Sequence, residues 1–116
     1  MTTDEKGNVW VFVEQHEDTI ADVSLELVCK ARELADRLGT RVEGVLLGND
    51  VRDLCAPLHQ QGCDAVWLVQ HDALAEFSVL PYARGIVALA KEHRPNILMF
   101  GATHVGRSLA PRIASE

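Results

Sequence analysis

The sequence predicts an α/β protein: an open parallel sheet with helices on both faces, broken off in its fourth strand–helix unit. Two observations predict it. Short runs of consecutive apolar residues, rich in β-branched and aromatic side chains, alternate strictly with stretches whose apolar residues recur at helical spacing. Each run is apolar on both faces, as strands are when helices cover a parallel sheet on both sides.

The first strand is expected over Asn8 to Glu14, where Val9 to Val13 are apolar without a break. A helix follows from Asp22. Val23, Leu27, Ala31, Leu34, Ala35 and Leu38 form its apolar stripe, and Glu26, Lys30, Arg32, Glu33, Asp36 and Arg37 lie elsewhere around it. Asp22 or Ser24 is suited to cap its start and Gly39 its end. A second strand is expected from Arg41 to Leu47, closed by Gly48. Val51, Leu54, Cys55 and Leu58 mark a second helix, with Asn49 or Asp50 as cap and Gly62 as stop. Ala65 to Val69 is a third strand, and His71 to Val79 a loop anchored by a few apolar residues. Pro81 suits the first turn of a third helix, which carries Ile86, Val87, Leu89 and Ala90 and ends before Pro95. Ile97 to Phe100 is the fourth strand, Gly101 to Gly106 a loop, and a fourth helix starts near Arg107 with Leu109 and Ile113 as its stripe. The chain stops about two turns into that helix, and the expectation is a fragment of a longer protein.

Composition narrows the function. A chain of 116 residues suits one small domain, and 47% hydrophobic with 24% charged residues is ordinary for a globular protein. A formal charge of −6 argues against a nucleic-acid partner, since phosphate binding needs a basic surface. Apolar runs fall short of the roughly 20 residues of a membrane span, so no membrane insertion is expected. Met1 to Gly7 carries Asp4 and Glu5 and resembles neither a secretory signal nor a transit peptide, which favours a bacterial cytoplasmic source. Cys29, Cys55 and Cys63 form no CxxC pair and fit a reducing compartment.

The stretch with most chemical content is Phe100 to Arg112, FGATHVGRSLAPR. It falls at the carboxyl end of a strand and the start of a helix, where open α/β sheets bind ligands. Gly101 and Gly106 allow close approach of backbone to a ligand, the helix start offers N–H groups to an anion, and Thr103, Arg107 and Ser108 add donors. The same stretch reads equally as an ordinary strand-to-helix turn. Gly101 to Ser108 spells GxxxxGRS, one residue from a phosphate loop, yet that loop needs a lysine as a compact point charge. It also follows the first strand rather than the fourth, and no later acidic strand residue is present to hold magnesium.

His16, His59, His71, His93 and His104 show no metal-ligand spacing and read as surface or loop residues, except that His104 lies in the glycine loop without an assigned role. No Ser-His-Asp or Cys-His arrangement emerges, and no catalytic residue is expected. Asp4-Glu5 and Glu17-Asp18 read as solvated loop charges, and Trp10 and Trp67 as core.

Three stretches together resemble the electron-transfer flavoprotein alpha subunit: Asn8 to Gln15 (NVWVFVEQ), Asp22 to Gly39 (DVSLELVCKARELADRLG) with Gly44 to Gly48 (GVLLG), and Gly101 to Arg112 (GATHVGRSLAPR) preceded by Tyr82 and Arg94-Pro95. The likeness runs in order over nearly the whole chain from Asn8. It implies an adenine-nucleotide-hydrolase-like N-terminal domain that packs against the beta subunit, with the electron-carrying FAD mainly in a C-terminal domain that these residues do not include. No tightly bound flavin is implied for the 116 residues alone. The assembled heterodimer would pass electrons between a dehydrogenase, such as an acyl-CoA dehydrogenase, or NADH and a downstream acceptor. In electron-bifurcating members the matching loop nears a second flavin across the interface, which would make Gly101, Ala102, Thr103, Gly106 and Arg107 the cofactor-facing residues, with Thr103 and Arg107 as donors. A competing reading is a free-standing nucleotide-binding protein of the universal-stress type, but Gly101, Gly106 and Ser108 do not supply its Gly-x2-Gly-x9-Gly-[Ser/Thr] spacing. An ATP-pyrophosphatase relative would need a Ser-Gly-Gly-x-Asp loop after the first strand, where Glu14-Gln15-His16-Glu17 stands.

Overall fold

The computed structural model describes residues 7–115. The Asp4-Glu5 pair lies outside the described residues.

The strands form where the apolar runs are. β1 (Val9–Phe12), β4 (Val42–Gly48), β5 (Ala65–Gln70) and β6 (Ile97–Met99) make one parallel sheet in the order β5-β4-β1-β6. Val9 pairs with Val42 on one side and Ile97 on the other, and Val45 pairs with Trp67. Helices α1 (Asp22–Leu38), α2 (Cys55–Gln61), α3 (Val79–His93) and α4 (His104–Ala114) connect and cover it. The expected four-unit parallel sheet is therefore the observed one.

Alternation along each strand builds two cores. Val9, Val11 and Val13 of the β1 stretch and Val42 and Leu46 of β4 pack with Val28, Ala31 and Ala35 of α1 and Leu58 of α2. Trp10, Phe12, Val45 and Leu47 point the other way, onto Tyr82, Ala83 and Ile86 of α3 and Leu109 of α4. The valine, leucine, isoleucine and phenylalanine side chains this fully buried each contribute about 1.5–3 kcal/mol, and the sheet needs both layers to hide both faces. Gly39 ends α1 in the left-handed conformation, at φ 72° and ψ 34°, as its position in the sequence suggests.

Several boundaries differ from expectation. A hairpin, β2 (Gln15–His16) with β3 (Thr19–Ile20), interrupts the first crossover, and Glu17 and Asp18 form its exposed tip at φ 49° and 61°. Neither Asp22 nor Ser24 caps α1. Its N-cap is Ala21, without a side-chain bond, because Ser24 is buried and its hydroxyl accepts from Glu14 N–H at 2.8 Å. The second helix begins at Cys55 after a short 3-10 turn over Arg52–Leu54, so neither Asn49 nor Asp50 caps it. Asp72–Leu74 forms another 3-10 turn inside the expected loop. The last helix begins at His104 rather than near Arg107, because Thr103 is its cap.

Arg32 and Asp64 stitch the lower rim of the sheet. Arg32 donates to Asp64 Oδ2 at 2.8 Å and to the Gly62 carbonyl at 3.1 Å, and the same Oδ2 accepts from Val42 N–H at 2.9 Å. Burial pushes the Asp64 carboxyl up, but the Val42 hydrogen bond and the Arg32 guanidinium outweigh it, and its pKa lies below the ordinary carboxylate value. A folded pKa below the unfolded one means stability present above the unfolded value and lost as pH falls through the folded one. Asp64→Asn is thus expected to flatten the fall of Tm with acid below about pH 4, where an unfolded Asp titrates. Thermal melts at a series of pH values check this, and a variant whose Tm falls with acid as steeply as the parent's refutes it.

Candidate functional site

The sheet order changes direction at β1. The chain moves from β1 to β4 to β5 on one side, then crosses back to place β6 on the other side of β1. The crevice at the carboxyl ends of β1 and β6 is therefore the switch point where such sheets bind ligands. Two segments meet there: Val13 to Gln15 leaving β1, and Gly101 to Thr103 leaving β6.

A continuous line of hydrogen bonds joins them. Thr103 has extended backbone, at φ −118° and ψ 172°, and its Oγ1 accepts from Gly106 N–H at 3.0 Å as the N-cap of α4. The same hydroxyl donates to Glu14 Oε2 at 2.7 Å, across 89 residues of sequence. Glu14 in turn donates its N–H to Ser24. The starts of α1 and α4 and the end of β1 are thereby locked to one another.

The glycines serve this closure. A Cβ on Gly106 would overlap the carbonyl oxygen of Gly101. A Cβ on Gly101 would lie 2.9 Å from Val23 Cγ2 and 3.1 Å from Glu14 Oε2. Both glycines are buried, and their job is to let two backbones touch.

Of the residues singled out by sequence, Gly101, Ala102, Thr103, Gly106 and Arg107 form one contiguous turn, as expected of a strand-to-helix loop. Only part of it faces outward. Ala102, His104 and Arg107 are exposed, Thr103 is half-buried, and Arg107 donates from Nη1 to the Ala102 carbonyl at 3.2 Å. Ser108 is spent within the helix, donating to the His104 carbonyl at 2.8 Å. Thr103 is spent too, with its proton on Glu14 and a lone pair on Gly106. Arg107 is the one side chain of the loop that combines a fixed charge with an open position.

Glu14 changes what the turn can hold. A phosphate at the start of α4 would meet a carboxylate already bonded to the capping threonine, and like charges at that range repel. The charge the turn leaves open is that of Arg107, on its outer side.

A cleft of about 540 Å³ opens beside the turn. Phe12, Glu14, Glu76, Phe77, Tyr82 and Val105 line it. Its aromatic wall is ordered by edge contacts, Phe12 to Tyr82 at 6.4 Å and Phe77 to Tyr82 at 5.1 Å between ring centres. Tyr82 donates its hydroxyl proton to the Leu74 carbonyl at 2.7 Å, and burial raises its pKa.

Two acidic residues carry structure that sequence reasoning did not assign. Glu14 was legible only as the end of a strand. Glu43 lies in a strand buried along its length, is 6% exposed, and takes two indole protons on one oxygen, from Trp10 at 2.9 Å and Trp67 at 3.0 Å. The available signal was a lone charge within the apolar run Val42 to Leu47.

Comparison with known proteins places this geometry in context. The sequence profile of the family described as electron transfer flavoprotein domain matches residues 9–116. The electron transfer flavoprotein subunit alpha of Clostridium acetobutylicum is 44% identical over 113 residues, covering 97% of this chain and 33% of that protein. The subunit of the same description from Thermoanaerobacterium thermosaccharolyticum is 41% identical over 109 residues, covering 94% of this chain and 33% of that protein. The acryloyl-CoA reductase electron transfer subunit beta of Anaerotignum propionicum is 34% identical, covering 94% of this chain and 30% of that protein. The chain thus spans about a third of the length of the curated relatives it matches. Among solved structures, a universal stress protein from Archaeoglobus fulgidus shares the fold with TM-score 0.64 and 14% identity, covering 91% of this chain and 92% of that one. Among the described residues, no helix is long and apolar enough to cross a membrane.

Proposed function

The chain belongs to the electron transfer flavoprotein domain family, and on that footing we propose that it is the N-terminal α/β domain of the alpha subunit of a heterodimeric, FAD-containing electron carrier. The match over residues 9–116, with 41% and 44% identity to two alpha subunits, carries this reading. In it the domain is scaffold and interface for a beta subunit and performs no catalysis of its own. The carrier passes electrons between a dehydrogenase, or NADH, and a downstream acceptor. The setting that goes with this reading is a reducing, cytoplasmic one.

Within this reading, and where the carrier is of the electron-bifurcating type, the loop from Gly101 to Arg107 is the part that faces a second flavin held by the other subunit. The flavin, when bound, supplies the reversible uptake of electrons. The chain's own contribution is positional and electrostatic. Gly101 and Gly106 keep the turn thin, the Glu14–Thr103–Gly106 line keeps it rigid, and Ala102 and Arg107 form its outer surface. A guanidinium anchored on the Ala102 carbonyl points a fixed positive charge outward and favours an anionic reduced ring beside it.

Arg107→Ala is accordingly expected to lower the midpoint potential of the flavin held by the other subunit of the assembled heterodimer by roughly 10–20 mV for a two-electron couple, the equivalent of a partly screened charge contact. Arg107→Lys is expected to retain most of the effect. Spectroelectrochemical titration of the three heterodimers reads the result, and identical potentials would remove Arg107 from the site. The family-level reading has its own test. The native protein, isolated with any partner attached, is expected to show flavin absorption and a second subunit, and a colourless protein without a partner would overturn it.

A further inference from the structure

The outward face of α3 is unusual for a helix on the surface of an acidic protein. Leu80, Arg84, Val87, Ala88 and Lys91 follow one another at the spacing of a single helical stripe and, with Ala83, whose methyl is buried in the second core, and Arg112 of α4, line a shallow groove between the two helices. Leu80 is 46% exposed, one of two large hydrophobic residues so exposed among the described residues. Leu80, Val87 and Ala88 belong to neither core. Ala83 and Ala88 keep the floor low, and the stripe from Leu80 to Lys91 runs about 16 Å along the helix axis, room for two to three turns of another helix.

Charge defines the occupant. Among the described residues the groove is lined by Arg84, Lys91 and Arg112 and by no carboxylate, on a chain whose formal charge is −6. A segment that buries apolar side chains on Leu80 and Val87 must set its flanks against three cations. That pattern fits a helix with apolar anchors at i, i+3 or i+4, and i+7 and with Asp or Glu on either side. We propose that the groove between α3 and α4 docks an acidic amphipathic helix of a protein partner. The proposal stands apart from the flavin reading, because the groove uses neither the β6–α4 turn nor the cleft beside it.

Fluorescence anisotropy with synthetic peptides tests it. One fluorescein-labelled helical peptide carries Leu anchors flanked by Glu, and a second has every Glu replaced by Lys. The acidic peptide is expected to bind the chain with micromolar affinity at low salt and about tenfold more tightly than the basic one, with the difference shrinking as salt screens the pair. Leu80→Asp and Arg84→Glu are each expected to weaken the acidic peptide about tenfold while leaving the Tm in place, since both side chains are exposed. Equal binding of the two peptides, no binding of either, or unchanged affinity in both variants overturns the proposal. So does a concentration-dependent dimer abolished by Leu80→Asp, which would assign the face to a second copy. Tighter binding to phosphatidylserine vesicles than to the acidic peptide would assign it to a membrane surface and equally overturn the proposal.

Discussion

Gly106→Ala is expected to destabilise the chain by about 3 kcal/mol or more, the upper end for forcing an added carbon into filled space. For a domain of this size that is a fall in Tm on the order of 10–20 °C. The added methyl would overlap the carbonyl oxygen of Gly101, which is backbone and cannot rotate aside. Relief requires α4 to move away from the end of β6. That motion breaks the Thr103 cap on Gly106 N–H and pulls Thr103 from Glu14. The informative comparison is Gly85→Ala in α3, where the new carbon would meet Leu47 Cδ2 at 3.2 Å. There the obstacle is the tip of a buried side chain that need shift by only a few tenths of an ångström, and the substitution gains up to about 1 kcal/mol of helix propensity, so a change near zero is expected. Thermal denaturation of the two variants reads the contrast. Equal Tm values would mean that the contact of Gly101 with Gly106 is not what holds the turn.

The fold was legible because its strongest signals are local. Val9 to Val13 and Val45 to Leu47 are apolar runs that only a doubly covered sheet can hide, and Ala31 and Ala35 of the expected α1 stripe lie on its buried face, beside Val28, which that stripe left out, whereas Leu38 is 37% exposed. What the sequence concealed was set by partners far along the chain or by atypical turn chemistry. The Gln15–Ile20 hairpin turns on Glu17 and Asp18 with positive φ, where an Asn-Gly pair is the usual signal. Thr103 is a good capping residue, yet the glycine at 106 made the first turn of α4 read as loop. Ser24 has the chemistry of a helix cap, but its hydroxyl is drawn to the exposed N–H at the end of β1. The turn itself was found from its glycines, while its acidic partner Glu14 was not, since no local pattern links residues 89 apart. That omission matters for function. Glu14 puts a carboxylate on the capping threonine of a strand-to-helix loop that reads as an anion cradle.

Glu43→Leu is expected to cost about 2–4 kcal/mol, through the two indole N–H groups it would leave without an acceptor. Trp10 is 1% exposed and has no route to water, whereas Trp67 is only partly buried and can recover some of its loss from solvent. Glu43→Gln keeps a carbonyl oxygen where Oε1 stands, so it is expected to cost about 1 kcal/mol, the difference between a charged and a neutral acceptor. The decisive variant is the pair Glu43→Leu with Trp10→Phe. If the penalty arises from an orphaned donor, removing that donor restores part of the stability, and the two changes cost less together than their sum. If it arises from the shape of the site, Phe adds a second cavity and the costs add or worsen. Urea unfolding followed by far-ultraviolet circular dichroism separates the cases without relying on indole emission, which both changes would alter. The outcome bears on the whole face of the sheet. Trp10 and Trp67 lie 6.0 Å apart, and Trp67 stacks on His93 of α3 at 4.0 Å, so the carboxylate of Glu43 fixes the orientation of the rings on which the end of α3 rests.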